Sequence, residues 1–142
     1  MFTDIPERFR TRVLLAPQTT ATGTGAYLRP TSGASGITFR AVVKMGNAAD
    51  LVLSLNSADD AVGTAATAYA VNVPIYENGI KQTSGKAFTV DDATGNFIVD
   101  FCIDPATVPD GKFIGIAYAN SNAANFLSVE MIEDVAYRPT AS

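Results

Sequence analysis

The chain has 142 residues, a formal net charge of −4, a single cysteine, and no histidine or tryptophan. A chain of this length forms one domain and buries roughly 70% of its unfolded surface, so its core needs no covalent staples. The absence of histidine excludes Ser-His-Asp and Cys-His centres, His-ligated zinc and a histidine pH switch. The lone Cys102 excludes an internal disulfide framework, and the acidic balance opposes electrostatic binding to nucleic acid, which needs a basic stripe.

No run of 18 apolar residues is present, so no stretch reads as a membrane-spanning helix. Met1 to Glu7 carries acids and a proline where an export signal has its basic and apolar regions. The expectation is a protein made in the cytoplasm and used or assembled there.

Residues 1–12 show no amphipathic period. Phe2, Ile5 and Phe9 are interspersed with Glu7, Arg8, Arg10 and Arg12, which places three of the ten basic residues within five positions. One reading is a solvated terminal extension. The other is an arm whose aromatics dock on a partner and whose arginines meet its carboxylates, a mixture that interfaces select. The expected organisation is this arm over 1–12, a sandwich domain over 13–138 and a tail over 139–142.

Val13-Leu14-Leu15-Ala16 is a short apolar run ended by Pro17, and the Thr, Ala and Gly tract after it, to Gly25, favours a loop or an extended edge. Ala26 to Arg29 reads as a short strand closed by Pro30. Ile37, Phe39, Ala41, Val43 and Met45 alternate with polar neighbours, as do Leu51, Leu53 and Leu55; with Gly46-Asn47 between them, these runs read as an antiparallel hairpin with one buried face. Tyr69, Val71 and Val73 suggest another strand before Pro74. Ile75-Tyr76 leads into Asn78-Gly79, the strongest short hairpin signal, and Lys86 to Val90 is a strand before Asp91-Asp92.

Gly95 to Asn120 is the most regular stretch. Phe97, Val99, Phe101 and Ile103 share one face of a strand, Asp104-Pro105 ends it, Pro109-Asp110-Gly111 supplies turn chemistry, and Ile114, Ile116 and Tyr118 share one face of a second strand. The connection makes this pair a wide arch or a long hairpin. Phe126 to Val135 alternates through Leu127, Val129 and Met131, after which Ile132 suggests a bulge or strand end. Turn signals separating short strands, with no long amphipathic helix, predict an all-β antiparallel β-sandwich of jelly-roll type with about eight strands. Phe39, Val43, Leu53, Phe101, Ile114, Ile116 and Val129 form its expected core. An up-and-down barrel is second, because the connections are uneven.

Candidate chemistry is sparse. Asp59-Asp60 and Asp91-Asp92 supply hard oxygens suited to calcium, but without the spacing of a calcium loop, and aspartate is common in turns. Asp100 and Asp104 lie four apart on one strand, roughly 13 Å, too far for a glycosidase pair. Gly23-Thr24-Gly25 is followed by neither the lysine nor the helix of a phosphate loop. Cys102 reads as a small apolar residue. Tyr27, Tyr69, Tyr76, Tyr118 and Tyr137 are scattered over different elements and read as core edges and contact residues rather than a sugar platform. No catalytic, cofactor or metal-ligating residue is nominated.

The order of the strand Ile37 to Val43, the partner Leu51 to Asp60, the strand Phe97 to Ile103 and the turn-strand unit Pro109 to Tyr118 resembles the small jelly-roll cement or decoration proteins of tailed bacteriophage capsids. The resemblance covers about Ile37 to Val135; Tyr69 to Lys86, with its added hairpin, departs from it. It implies a non-enzymatic structural virion protein without cofactors. Such a protein is assembled in the host cytoplasm and placed on the capsid surface, where it binds between major capsid protein subunits and stabilises the shell. It binds neither nucleic acid nor membrane and acts as a homodimer or homotrimer. Phe2, Ile5, Arg8, Phe9, Arg10 and Arg12 are the expected capsid or oligomer contacts, and the Thr19 to Gly25 tract offers a bare edge. The alternative is a carbohydrate-binding or receptor-binding jelly-roll module of a phage fibre, whose mark is an exposed aromatic cluster rich in tryptophan. A divalent-metal hydrolase using the aspartate pairs is a third reading.

Overall fold

The structure, a computed structural model, describes residues 8–91 and 94–135. Phe2, Ile5, Asp92, Tyr137 and the expected tail lie outside the described residues. Among the described residues the strands are β1 (Phe9–Thr19), β2 (Thr24–Leu28), β3 (Gly36–Met45), β4 (Leu51–Ala58), β5 (Thr67–Ala68), β6 (Ile75–Glu77), β7 (Ile80–Lys81), β8 (Ala87–Val90), β9 (Gly95–Ile103), β10 (Phe113–Tyr118) and β11 (Phe126–Asp134). They build two antiparallel sheets. One has the order β1-β11-β3-β9-β6-β7; the other has β2-β10-β4-β5, with β8 also pairing to β4.

The period of two does what it predicts. Ile37, Phe39, Ala41, Val43 and Met45 of β3 all point inward, and so do Leu51, Leu53 and Leu55 of β4. The expected core residues Phe39, Val43, Leu53, Phe101, Ile114, Ile116 and Val129 are fully buried in one cluster fed by both sheets. This is the antiparallel sandwich that the alternation implies.

Pairing differs from expectation at several places. β3 and β4 do not form a hairpin: both sides of β3 are occupied, by β11 and β9, while β4 pairs with β10, β5 and β8. A buried face on each of two successive strands is satisfied equally well by pairing them or by setting them in facing sheets. Gly46-Asn47 therefore turns the chain across the core. The corner is held by the buried Asn125, whose Oδ1 accepts from the Gly46 and Asn47 N–H groups at 2.9 Å each and whose Nδ2 donates to the Ala49 carbonyl at 3.1 Å.

β9 and β10 likewise lie in opposite sheets, so their connection is the arch and not the long hairpin. Asp104 accepts from the Ala106 N–H at 3.0 Å and so caps the 3-10 turn Pro105–Thr107. Gly111 then takes φ +74° in the second turn, where the Lys112 N–H donates to the Pro109 carbonyl. Tyr69 to Val73 is no strand: Tyr69 and Val73 are buried, but Val71 is exposed and Val73 makes only an isolated bridge to Gly85. The Asn78-Gly79 hairpin forms as expected, with φ +49° and +79°, the two positive values of a type I′ turn.

β11 carries no bulge at Met131-Ile132. Its register with β3 is continuous from Phe126 to Asp134, and the inward position after Met131 is filled by Glu133, fully buried. The irregularities fall in β1, between Val13 and Leu15 and between Leu15 and Gln18, which explains how adjacent Leu14 and Leu15 are both buried. Pro17 does not end this strand, because β1 is at the sheet edge, where a missing N–H is tolerated. β1 begins at Phe9, so the division expected at residue 12 falls inside a strand: Phe9, Arg10, Thr11 and Arg12 pair with Asp134, Glu133, Ile132 and Met131.

Candidate interaction surface

The arginines nominated from sequence are bonded within the sandwich. Arg12 lies on the inward phase of β1 and is bridged through its Nη2 to Glu133 Oε1 at 2.8 Å, with a second bond to the Arg29 carbonyl at 2.8 Å. Glu133 also accepts from the Thr31 N–H and, at 2.8 Å, from the Thr31 hydroxyl. Arg10 donates to that same hydroxyl oxygen at 2.9 Å. Arg8 reaches Asp134 at 3.3 Å, and its guanidinium lies 5.5 Å from the centroid of the Phe9 ring. The loop after β2 is thus stitched to the sheet end by a buried carboxylate. Arg12 Nε is buried without a hydrogen-bond partner among the described residues, a cost that the bonds of the network must offset.

The outer face of the six-stranded sheet offers a different kind of surface. Across its middle, Arg40 stands directly between Glu130 on β11 and Asp100 on β9. Its Nε and Nη2 donate to Asp100 Oδ1 and Oδ2 at 2.9 and 3.1 Å, a bidentate pair. The Asp100 hydrogen bond, acting against partial desolvation, pushes the Arg40 guanidinium above its usual range.

On both sides of this charged row exposed apolar side chains stand among polar ones. Toward one end Val42 lies opposite Ile98 and Ser128, and Phe126 lies opposite Lys44. Val42, Ile98 and Phe126 are 46%, 40% and 44% exposed, and Val42 and Phe126 with Pro17 line an open groove of about 210 Å³. Toward the other end an open groove of about 420 Å³ is lined by Phe9, Thr38, Pro74, Cys102, Ile103 and Ile132, among others. A one-sided antiparallel sheet ordinarily alternates apolar-in with polar-out. This one places apolar side chains on its water-facing side.

Phe9, alone of the nominated aromatics, lies among the described residues, and it belongs to this second groove. Cys102 lines the same groove; burial first, and then the Asp100 charge, push its thiol up, which keeps it protonated and a poor nucleophile. Among the described residues the tyrosines form no platform. Tyr27, Tyr69 and Tyr118 are buried, with hydroxyls bonded to Asn56, Thr107 and Gln18 respectively. Asp60 accepts from the Thr64 hydroxyl and from the N–H groups of Thr64 and Val62; these bonds, those of Thr64 first, hold its carboxyl below the usual range. Asp59 meets Lys112, and Asp104 is a turn cap. Among the described residues no three His, Cys, Asp or Glu side chains gather as a metal site.

Sequence reasoning passed over Thr31 and Glu133, and over the outward row of Val42, Ile98 and Phe126. The signal for Glu133 was its phase, two residues beyond Met131. The signal for the outer face was distributed over β3, β9 and β11, which only the sheet order brings side by side. No family model, curated protein or solved structure matches this chain.

Proposed function

We propose that this sandwich is a jelly roll serving as a capsid cement or decoration protein. In this reading it is a non-enzymatic structural component of a virion that lies on the shell, binds between major capsid protein subunits and holds them together. The strand order supports the jelly-roll reading. With β5 and the β6–β7 hairpin set aside, the sheets read β1-β11-β3-β9 and β2-β10-β4-β8, so the first strand lies beside the last and β1 to β4 alternate between sheets.

The observation that carries the functional reading is the outer face of the six-stranded sheet, with exposed Val13, Val42, Ile98 and Phe126 around the Glu130-Arg40-Asp100 row. Apolar area on one sheet face, crossed by a fixed charge row, is suited to a broad protein partner: burial drives association, only the surplus over ordering and desolvation costs appearing as affinity, and the charges set register and partner choice. The reading asks for no turnover, only for contacts that span two neighbouring subunits.

Purified protein mixed with empty expanded capsids of its phage is expected to co-sediment to saturation, and to raise the temperature at which those shells break. Selective binding on a glycan array, with none to shells, would replace this reading with the carbohydrate- or receptor-binding one. Metal-dependent hydrolytic activity would replace it with an enzyme.

A further inference from the structure

We infer that the first half of β1 is a self-complementary edge, through which two copies join their six-stranded sheets across a twofold axis at Thr11. β1 ends the sheet order, and among the described residues its ladder partner is β11 alone. The Val135 N–H donates to the Arg8 carbonyl at 2.8 Å. In an antiparallel ladder bonded residues alternate, so Arg8, Arg10 and Arg12 turn their backbone groups toward β11. Phe9, Thr11 and Val13 turn theirs outward, to the open edge.

An open edge is normally guarded; on this one the backbone guards are confined to one half, and the inward-phase charges of the other half, Arg10 and Arg12, are met by Glu133. The register shifts after Val13 and after Leu15, together with Pro17, disrupt the strand beyond Val13. From Phe9 to Val13 the register is unbroken, and Val13 is 64% exposed.

The side-chain pattern of this half fits a second copy of itself. An antiparallel twofold at Thr11 sets Thr11 against Thr11 and Phe9 against Val13 of the second copy, on the outer face. Threonine pairs and aromatic with β-branched pairs are favourable opposite one another. All three outward-turned residues then exchange backbone hydrogen bonds. On the inner phase Arg10 comes opposite Arg12 of the second copy. That repulsion is offset by Glu133, which bonds Arg12 and lies opposite Arg10 on β11. The result is a continuous twelve-stranded sheet, twice the six strands of one copy, whose apolar outer face is doubled. This inference does not depend on the capsid reading, since it is tested on the protein alone.

Sedimentation equilibrium of the full chain at micromolar concentration is expected to give a dimer. Thr11→Pro removes an N–H that β11 does not use and is expected to weaken the dimer at least about tenfold. Val13→Lys, which keeps the backbone donor but charges the edge, is expected to do the same, with an unchanged circular dichroism spectrum. Should Thr11→Pro fail to fold, Val13→Lys decides. A monomeric wild type, a dimer indifferent to a folded variant, or oligomers that grow without limit by joining β1 to the opposite edge at β7 would each overturn the inference.

Discussion

Replacing Arg12 by alanine is expected to lower the unfolding free energy by about 3–5 kcal/mol, the cost of leaving a buried charge without its partner. Glu133 is fully buried and Arg12 is 24% exposed, so the two halves of the pair are not equivalent. Without Arg12, the Glu133 carboxylate keeps only its bonds to Thr31 and has no access to water. Without Glu133, Arg12 keeps the Arg29 carbonyl and turns toward solvent. Glu133→Gln is therefore expected to cost less, about 1–3 kcal/mol. The joint replacement Arg12→Met with Glu133→Leu is expected to cost less than the sum of the single changes. Urea denaturation of the four proteins measures all of this. An Arg12→Ala loss below about 1 kcal/mol, the range of an exposed ion pair, would show that the network is solvated. Deleting residues 1–12 is likewise expected to destabilise the fold, because it removes Arg12 and four ladder positions of β1; were these residues a free arm, the deletion would leave the melting temperature unchanged.

Phe101→Ala is expected to cost about 3–5 kcal/mol, through lost transfer energy and the cavity left behind. Phe101 is fully buried on β9, directly opposite Phe39 on β3 and Ile75 on β6, at the centre of the six-stranded sheet's inner face. The midpoint in denaturant should fall with little change in slope, as for a lost contact in an otherwise intact native state. A loss under about 1 kcal/mol would mean that the ring is not packed between the sheets.

The strands and the core were legible because one physical signal, period-two alternation, reports which side of a strand is dry. It placed β3, β4, β9 and β10 closely and named core residues that are fully buried. The same signal is silent on partners. β3 and β4, or β9 and β10, show the same alternation whether they bond side by side or face one another across the core, and both pairs do the latter. Only Asn78-Gly79 encoded a specific pairing, because its two positive φ values suit one kind of turn. Glu133 was missed because a carboxylate on the inward phase looks like the end of a strand until its partners are known. Those partners, Arg12 and Thr31, are more than 100 residues away. The outer face was unreadable for the same reason: Val42, Ile98 and Phe126 are single outward apolar residues in sequence, and they gather only once β9, β3 and β11 lie side by side.

The docking claim rests most directly on Ile98. Its side chain is 40% exposed, points away from the core and lies beside Val42 on the face proposed to meet the shell. Titration of empty expanded capsids with wild type and with Ile98→Asp measures what that face contributes. The variant is expected to keep its circular dichroism and wild-type self-association, with an affinity for shells at least about tenfold weaker, as for the loss of an interface residue worth more than 1 kcal/mol. Equal affinity of a folded Ile98→Asp protein for shells would contradict it.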